Sequence, residues 1–279
     1  MIDKIIVLGA NGMLGGYITK FFSNLTSTHT YKVISLTRHD FNVIDDNIYK
    51  LENIMKEHMN EKTLVINCIG KIPQRNREQD PYVAKRDYYL VNTLFPINLW
   101  NLCRKYNSKM IQPTTDCVYS GKKGSYNEQD APDEFGDYGM SKSLGDNLEC
   151  TVIRTSIIGK EKYNKLSLLE WLISFAGKEI NGYDHHLWNG ITCLEYCKLI
   201  HYIIQNNLFW SGCRHIYSPE PKSKYELSVL INKEFNLNCI INKITSDIKV
   251  DKTLSSIYPK LYTINSLETQ IKELSCFDI

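Results

Sequence analysis

A glycine-rich segment close to the N-terminus places the strongest constraint on how this chain can fold. The stretch Val7–Gly15 reads VLGANGMLG, and its glycines Gly9, Gly12 and Gly15 recur every three residues directly after the apolar run Ile5–Leu8. Glycines at this spacing form a tight turn between a strand and a helix, which brings the backbone close to a pyrophosphate lying on the free N–H groups of the helix. The segment therefore predicts a strand–turn–helix unit that binds a dinucleotide.

Strand and helix patterns alternate through the first half of the chain. The predicted strands are Ile5–Leu8, Lys32–Leu36, Thr63–Ile69, Lys109–Pro113 and Thr151–Ile158, and the predicted helices are Gly12–Phe22, Ile48–His58, Tyr88–Tyr106 and Tyr138–Glu149. The third strand has no polar face, as expected when helices cover both sides of a sheet. This alternation predicts an α/β fold of the Rossmann type with a doubly wound parallel sheet.

The second half of the chain predicts a smaller α+β lobe. Its predicted elements are the helices Leu166–Phe175 and Thr192–Gln205, a helix that runs from the capping box Ser223–Glu226 to Phe235, and the strands Arg214–Ser218 and Asn238–Ile244. We therefore expect a dinucleotide-binding domain at 1–160, completed by parts of 183–218, and a substrate lobe formed mainly by 161–279. Ligands of such folds bind at the carboxyl ends of the strands, where we expect the lobe to lie.

Charge, hydropathy and cysteine spacing exclude several classes of function. The 33 Lys and Arg residues against 31 Asp and Glu give a net charge of +2 without a basic tail, so nucleic-acid binding has no support. No apolar run approaches the ~18 residues that span a bilayer, and MIDKIIVLGA lacks the apolar core of a signal peptide. The nine cysteines contain no CxxC pair, and the adjacent His185 and His186 point in different directions. We therefore expect no metal site and a reducing, cytoplasmic compartment.

The end of the second predicted strand indicates which dinucleotide binds. NAD sites usually carry an acidic residue there against the ribose 2′-hydroxyl, whereas NADP sites carry a basic residue that meets the 2′-phosphate. Here the strand ends in Leu36-Thr37-Arg38-His39, which has no acid at that position. Arg38 therefore predicts NADP(H) rather than NAD(H).

A Tyr-x-x-x-Lys motif at the start of a predicted helix supplies the candidate chemistry. Tyr138 and Lys142 stand four residues apart, so their side chains share one helix face. A nearby ammonium favours the phenolate, so we expect Lys142 to lower the pKa of Tyr138. The phenol can then pass its proton to a carbonyl oxygen as a hydride arrives, and Lys142 can hold the nicotinamide ribose. Thr115, at the end of the fourth strand, can give the same carbonyl oxygen a second hydrogen bond.

In combination these motifs resemble those of the extended short-chain dehydrogenase/reductases, and in particular the dTDP-4-dehydrorhamnose reductase-like group. The resemblance is carried by VLGANGMLG, VINCIG, LVNTLFPINL, TTDCVYSGKKGSYNEQDAP, YGMSKSLGD and VIRTSIIG, which together cover 4–160. The later stretches WNGIT and LEYCKLI are also similar to this group. Val250-Asp251-Lys252 departs from it, because it lacks the Arg-Pro pair that such reductases often carry.

The resemblance implies NADP(H)-dependent reduction at C4 of a UDP- or dTDP-linked 4-keto-6-deoxyhexose, as in rhamnose and polysaccharide biosynthesis. It also implies a homodimer formed through the long helices. The cofactor contacts of the group fall on Gly9, Asn11, Gly12, Met13, Leu14, Arg38, Asn42, Val43, Cys68, Ile69, Gly70, Tyr138 and Lys142. Among them, Asn42-Val43 take the adenine position, and Cys68-Ile69-Gly70 take the loop beside the adenine ribose and the pyrophosphate.

Cys117 suggests a second activity. On an extended segment it faces the same way as Thr115, so it points to the carbon next to the ketone, whose C–H is acidic. It resembles the cysteine with which GDP-fucose synthase and the plant 3,5-epimerase/4-reductases remove that proton. The partner acid of those enzymes falls at about Lys165, with Lys160 and Lys162 as rivals. The resemblance thus implies epimerisation at C3 before reduction, which gives an L-rhamnose-type sugar or its 2-acetamido analogue. The alternative is a packed Cys117 in a reductase without epimerase activity.

Three further residues are candidates for substrate contact or for packing. Arg75, after the third strand, can meet a diphosphate or sugar oxygen, or it can lie in a solvated loop. Trp188 can line the sugar pocket or stack on the nucleotide base, or it can pack in the core. Arg154 can face the site or brace the sheet.

Two other functions compete with that of a reductase. One is a non-catalytic NADP-binding regulatory subunit, because the regulatory subunit of methionine adenosyltransferase resembles the same group and keeps the Tyr-x-x-x-Lys motif. A reactive cysteine is unexpected in such a subunit, so Cys117 favours the enzyme. The other is a 4,6-dehydratase, which usually places an Asp-Glu pair after the Thr, whereas Asp116-Cys117 follows here.

Overall fold

The computed structural model describes residues 1–25, 31–163 and 165–279. Its strands are β1 (Lys4–Leu8), β2 (Lys32–Leu36), β3 (Thr63–Asn67), β4 (Lys109–Thr115), β5 (Thr151–Thr155), β6 (Ile157–Ile158), β7 (Glu179–Tyr183), β8 (His186–Trp188), β9 (Ile191–Thr192), β10 (Gly212–His215), β11 (Lys222–Ser223), β12 (Ile240–Ile244) and β13 (Val250–Asp251). Its α-helices are α1 (Met13–Ser23), α2 (Ile48–Met55), α3 (Pro81–Tyr89), α4 (Phe95–Lys105), α5 (Asp137–Leu144), α6 (Leu168–Ser174), α7 (Cys193–Gln205), α8 (Lys224–Glu234) and α9 (Leu267–Cys276).

Six parallel strands form the central sheet in the order β10-β5-β4-β3-β1-β2. The chain moves outward from β1 to β2 and then returns to β3 on the other side of β1, so a crevice opens at the carboxyl ends of β1 and β3. This is the doubly wound α/β sheet of the Rossmann type that the alternation predicts. The edge strand β10 comes from the second half of the chain.

Both faces of the sheet are covered by apolar side chains. In β1, Ile5 and Val7 belong to one buried cluster, whereas Ile6 and Leu8 belong to another. Successive side chains of a strand point to opposite faces, so these four residues fill the cores on both sides of the sheet. The first cluster includes residues of α1, α7 and α9, and the second includes residues of α2 and α4.

Gly15 sets how closely α1 packs against the turn that follows β1. A Cβ at Gly15 would lie 2.2 Å from the carbonyl oxygen of Gly9, so no other residue allows the helix to start at this distance. The next glycine of the helix is less constrained. A Cβ at Gly16 would first meet the end of the Ile279 side chain, at 3.3 Å.

The helix predicted at Tyr88–Tyr106 is longer than expected and is interrupted. It begins earlier, at Pro81, because the Asp80 side chain caps its first N–H groups. A π-helical turn at Leu90–Leu94 separates α3 from α4. Pro96 has no N–H, and its ring would crowd the carbonyl four residues earlier, so the widened turn before it relieves this clash.

The second half contains more β-structure than the sequence pattern shows. The capping box forms between Ser223 and Glu226, and α8 starts at Lys224 as predicted. The segments β7, β8, β13 and α9 were not predicted, and the short strands pair in the sheets β11-β8-β13, β12-β7 and β6-β9. Strands β8 and β13, of three and two residues, are too short to show an alternating pattern.

We expect Gly15→Ala to lower the free energy of unfolding by about 1–3 kcal/mol, because the added methyl group overlaps a backbone carbonyl that cannot move aside. Urea denaturation measures the change. Gly16→Ala is the matched control in the same helix, because its methyl group meets only a movable side-chain end and a helical Gly→Ala change is favourable by about 0.5–1 kcal/mol. Equal losses in the two variants would contradict this account of the turn.

Candidate functional site

The turn after β1 presents backbone N–H groups to the crevice. Gly9 has a φ of 75°, and a Cβ there would lie 3.0 Å from the carbonyl group of Cys68, so the end of β3 closes directly over the turn. The N-cap of α1 is Gly12, which has no side chain to satisfy the first N–H groups of the helix. These groups and the positive end of the helix can therefore receive a pyrophosphate. The other predicted contacts in this turn are the exposed Asn11, the half-buried Met13 and the buried Leu14.

The loop after β3 joins the glycine turn to the Tyr-x-x-x-Lys helix. The Cys68 N–H donates to the carbonyl of Leu8 at 2.9 Å, and the Ile69 N–H donates to the side chain of Asn67 at 3.2 Å. Gly70 is exposed, and a Cβ there would lie 3.0 Å from Nζ of Lys142. The predicted pyrophosphate contacts and the predicted ribose contact therefore border the same crevice.

Arg38 occupies an exposed turn at the carboxyl end of β2. The Asp40 carboxylate accepts hydrogen bonds from the N–H and the hydroxyl of Thr37, both at 2.8 Å, and so closes this turn. Because β1 and β2 are parallel neighbours, Arg38 lies at the same edge of the sheet as the glycine turn. The guanidinium can meet a phosphate there.

An apolar cavity of about 290 Å³ lies beside Val43, at the predicted adenine position. Its lining residues are Phe41, Val43, Asp46, Asn47, Ile48, Leu90, Phe95 and Asn98. A cavity with apolar walls and a few polar groups fits a flat heteroaromatic base. The amide of Asn42, by contrast, is engaged in its own turn, where its oxygen accepts from the Ile44 N–H at 3.3 Å and its nitrogen donates to Asp45.

Tyr138 and Thr115 come together at the carboxyl end of β4, and Lys142 follows Tyr138 by four residues on α5. Burial raises the pKa of Tyr138 and the neighbouring Cys117 adds to this effect, whereas a hydrogen bond with the Thr115 hydroxyl opposes it. The expectation that this pKa is lowered is wrong, because burial removes the phenol from water, while Nζ of Lys142 lies against Gly70. Tyr138 is therefore a protonated phenol at neutral pH, which is the form that can give a proton to a ketone oxygen.

Lys142 is a buried basic residue beside the crevice. Burial lowers the pKa of its amine, whereas Asp146, one helical turn later, raises it. Its Nζ makes no hydrogen bond to the residues that the structure describes. The amine is therefore available to ligand hydroxyl groups near Gly70.

The segment after Thr115 is a turn, not the extended chain that the sequence analysis assumed. Asp116–Val118 form a short 3₁₀ helix, which Thr115 caps by accepting the Cys117 N–H at 3.1 Å. The turn still keeps Cys117 beside Thr115 and within electrostatic range of Tyr138. Burial, and then Asp116 at 3.6 Å from the sulfur, raise the pKa of Cys117 to about 11. The side chain is therefore a thiol at neutral pH.

Asn92 is a site residue that the sequence analysis did not single out. Its side-chain oxygen accepts the Lys71 N–H at 2.9 Å, and its nitrogen donates to the Lys71 carbonyl at 2.9 Å and to the Ser141 hydroxyl at 3.1 Å. The π-helical turn directs this side chain at the loop after β3, and the stretch LVNTLFPINL with its Pro96 was the available signal. Asn92 thus fixes that loop to α5.

A buried network of polar groups lies beneath the site. Arg154 of β5 donates to Asp146 at 2.9 Å and to the Tyr119 hydroxyl at 2.8 Å, so it braces the sheet. His215 of β10 holds its Nδ1 within 3.1 Å of two backbone carbonyls, those of Tyr126 and Ser255, so this nitrogen carries the proton. Its Nε2 is then the acceptor, and it lies 3.2 Å from the Tyr119 hydroxyl.

Three of the predicted contacts lie in settings that limit their roles. Arg75 forms an ion pair with Glu161 at 3.0 Å, so its guanidinium anchors the loop that follows β6. Trp188 is buried in the larger apolar cluster. Lys165 is exposed in a left-handed turn with a φ of 48°, and no described contact joins it to Cys117. Its neighbour Asn164 lies outside the described residues.

The rivals of Lys165 also lie apart from Cys117. Lys160 donates to the carbonyl of Ser275 at 3.5 Å, and Lys162 is exposed. Two lysines that the sequence analysis did not consider, Lys224 and Lys252, are within electrostatic range of Asp116 and Cys117.

Two features are absent from the residues that the structure describes. No helix there is both long enough and apolar enough to cross a membrane. The same ranges hold no group of three or more His, Cys, Asp or Glu side chains placed to bind a metal ion.

Comparison with known proteins agrees with the fold and extends over most of the chain. The family model described as the RmlD substrate binding domain matches residues 3–247. A dTDP-4-dehydrorhamnose reductase of Mycobacterium tuberculosis (strain ATCC 25618 / H37Rv) is 25% identical over 165 residues, which are 55% of this chain and 50% of the relative. A probable low-salt glycan biosynthesis reductase of Haloferax volcanii is 27% identical over 165 residues, 54% and 52% of the two chains. The chain spans about half the length of the curated relatives it matches.

The solved structures share the fold over nearly their whole length. The dTDP-4-dehydrorhamnose reductase of Bacillus anthracis, determined in complex with NADP, superposes with a TM-score of 0.79. The match covers 98% of each chain at 18% sequence identity. At this identity the likeness establishes the shared Rossmann-type fold.

We expect His215 to make the fold less stable as the pH falls. Burial, and then the charge of Arg154, lower the pKa of His215 to about 4, against 6.5 for an ordinary histidine. Between these pH values His215 binds a proton in the unfolded chain but not in the folded chain. The free energy of unfolding therefore falls by about 3 kcal/mol from pH 6.5 to 4. Urea denaturation across this range should give a steeper pH slope for the wild type than for His215→Gln.

The exposed His39→Gln is the matched control for this experiment, and we expect it to keep the wild-type slope. Identical slopes for His215→Gln and the wild type would show that His215 is protonated equally in the folded and unfolded chains.

Proposed function

Since this chain belongs to the RmlD substrate binding domain family, we propose that it reduces the C4 ketone of a nucleotide-linked 4-keto-6-deoxyhexose with NADPH. The observation that carries the proposal is the meeting of Tyr138, Thr115 and Lys142 beside the glycine turn. The relatives named as dTDP-4-dehydrorhamnose reductases suggest dTDP as the carrier, and UDP is the second choice.

The described residues fit the cofactor that we propose. The uncapped N–H groups at Gly12 receive the pyrophosphate, the cavity beside Val43 receives the adenine, and the exposed Arg38 meets the 2′-phosphate. Lys142 holds the nicotinamide ribose against the loop at Gly70. NADPH supplies the hydride when it is bound.

Tyr138 carries the proton transfer in this proposal. Its phenol, which burial keeps protonated, donates to the C4 oxygen as negative charge develops there. The Thr115 hydroxyl, next to the phenol, donates a second hydrogen bond to the same oxygen and so stabilises the oxyanion. Lys142 compensates the charge that remains on Tyr138 after the proton has left.

We further propose that the protein epimerises the carbon next to the ketone before reduction. The observation in favour is that Cys117 lies beside Thr115 and Tyr138, the two groups that would hold the enolate oxygen. Reduction must follow epimerisation, because the C–H loses its acidity once the ketone is gone. Uptake of solvent deuterium at that carbon, before any reductant is added, is the signature of this step.

We expect Tyr138→Phe to lower the rate of ketone reduction by about 10²–10⁴-fold, because the variant has no proton to give. Absorbance at 340 nm with NADPH and dTDP-4-dehydrorhamnose measures the rate, and fluorescence titration measures NADPH binding, which should persist. Tyr82→Phe, which alters a phenol that is 84% exposed, is the matched control. A wild-type protein that binds NADPH and reduces neither dTDP- nor UDP-linked ketones would instead be a regulatory module.

We expect Arg38→Ala to raise the KM for NADPH by about 10–100-fold, because a charged hydrogen bond to the 2′-phosphate contributes about 1.5–3 kcal/mol. The KM for NADH, which lacks this phosphate, should change little. The control Lys32→Ala removes another exposed cation from β2. Equal changes for both cofactors would mean that Arg38 does not contact the 2′-phosphate.

A further inference from the structure

The start of α8 fixes the position of Lys224. The Glu226 carboxylate accepts the Ser223 N–H at 2.7 Å and its hydroxyl at 2.8 Å, while the Ser223 hydroxyl accepts the Glu226 N–H at 3.1 Å. This box fixes the first helical residue, Lys224, whose Nζ lies 5.9 Å from the ring centroid of Trp188. The Lys224 amine therefore lies close to the buried indole of Trp188.

The small sheet β11-β8-β13 brings a second lysine to the same place. Ser223 in β11 pairs with Leu187 in β8, and the Lys252 N–H donates to the Leu187 carbonyl at 3.2 Å from the other side. The Asp251 N–H donates to the Gly121 carbonyl at 2.7 Å. This hydrogen bond holds β13 against the loop after Cys117. The substrate lobe therefore contacts the loop after Cys117 through β13, and the two lysines directly follow β11 and β13.

The amine of Lys224 lies within electrostatic range of the turn at Asp116 and Cys117, and it is not paired among the described residues. Its environment includes Asp116, Cys117 and Lys252, and it makes no hydrogen bond or ion pair within the described ranges. Burial, and then Lys252, lower the pKa of Lys224, whereas Asp116 opposes them. The same surroundings raise the pKa of Cys117. The two shifts favour the neutral form of each group, and these are the forms in which an amine can act as a base and a thiol as an acid.

We propose that Lys224 is the base and Cys117 the acid of the epimerisation step, in the place that the sequence analysis gave to Lys165. The inference rests on the proposed function, because it needs a ketone held by Tyr138 and Thr115. It assigns a catalytic role to a residue of the substrate lobe and reverses the role first expected of the cysteine.

The step balances without any further reagent. The lone pair of the Lys224 amine takes the proton from the carbon next to C4, and the electrons of that C–H bond form the enolate, whose oxygen is held by Tyr138 and Thr115. The enolate carbon then forms a new C–H bond with the proton of the Cys117 thiol on the face opposite to Lys224, which inverts the centre. The resulting ammonium and thiolate return to amine and thiol by exchanging protons with water.

Deuterium uptake separates this role from simple charge stabilisation. The protein is incubated in D₂O with NADP⁺ and dTDP-4-keto-6-deoxyglucose, and mass spectrometry follows deuterium in the sugar. Reduction of dTDP-4-dehydrorhamnose by NADPH is measured in parallel, so that each variant gives a ratio of exchange to reduction. The variants are Lys224→Gln, Lys224→Arg, Cys117→Ser, Lys165→Gln and, as a matched exposed control, Lys249→Gln. Thermal unfolding checks that each variant is folded.

We expect the ratio to fall about 100-fold or more in Lys224→Gln and in Lys224→Arg, and to stay near the wild-type value in Lys165→Gln and Lys249→Gln. Arginine supplies a positive charge but is permanently protonated and so cannot accept a proton, which means that its failure identifies proton transfer as the role. Full exchange in Lys224→Arg, or a loss confined to Lys165→Gln, would overturn the assignment while the epimerase stands.

Exchange and reduction in the wild-type protein distinguish a failure of this inference from a failure of the proposed function on which it rests. Reduction without exchange in the wild type would remove both epimerisation and the role of Lys224, and would leave the reductase intact. Neither exchange nor reduction would overturn the proposed function itself.

Discussion

The close approach of three backbone segments at the carboxyl ends of β1 and β3 is the constraint on which the rest of the structure depends. Gly15 lets α1 begin directly against Gly9, and Gly9 lets the end of β3 pass within contact distance of the turn. A side chain at either position would force these segments apart and turn the free N–H groups away from the crevice. The loop at Gly70, and Lys142 against it, take their places from this packing.

Loss of hydration, more than ion pairing, sets the protonation of the groups around the crevice. Burial raises the pKa values of Tyr138 and Cys117 and lowers those of Lys142 and Lys224. Every one of these shifts favours the neutral form, because a charged group in a buried site is separated from water. Such a site strengthens the hydrogen bonds it makes to a ketone and keeps its protons available for transfer.

The sequence predicts the first half of the chain more fully than the second half. β2 has the predicted bounds, and the Ser223 capping box starts α8 as expected, because both signals are local. The π-helical turn that directs Asn92 could not be predicted from periodicity, which continues through it. Lys224 was missed for a different reason, since it meets Cys117 only when β8, β11 and β13 have paired across long stretches of chain.

The edge position of β10 gives the molecule an order of assembly during synthesis. β5 leaves the ribosome long before Gly212–His215, so one hydrogen-bonding edge of β5 has no strand to pair with while the second half is still being made. Arg154 likewise lacks His215, its partner in the buried network, until β10 has been made. An open edge of this kind attracts other nascent chains. The central sheet is therefore completed only after β10 has been made, late in translation.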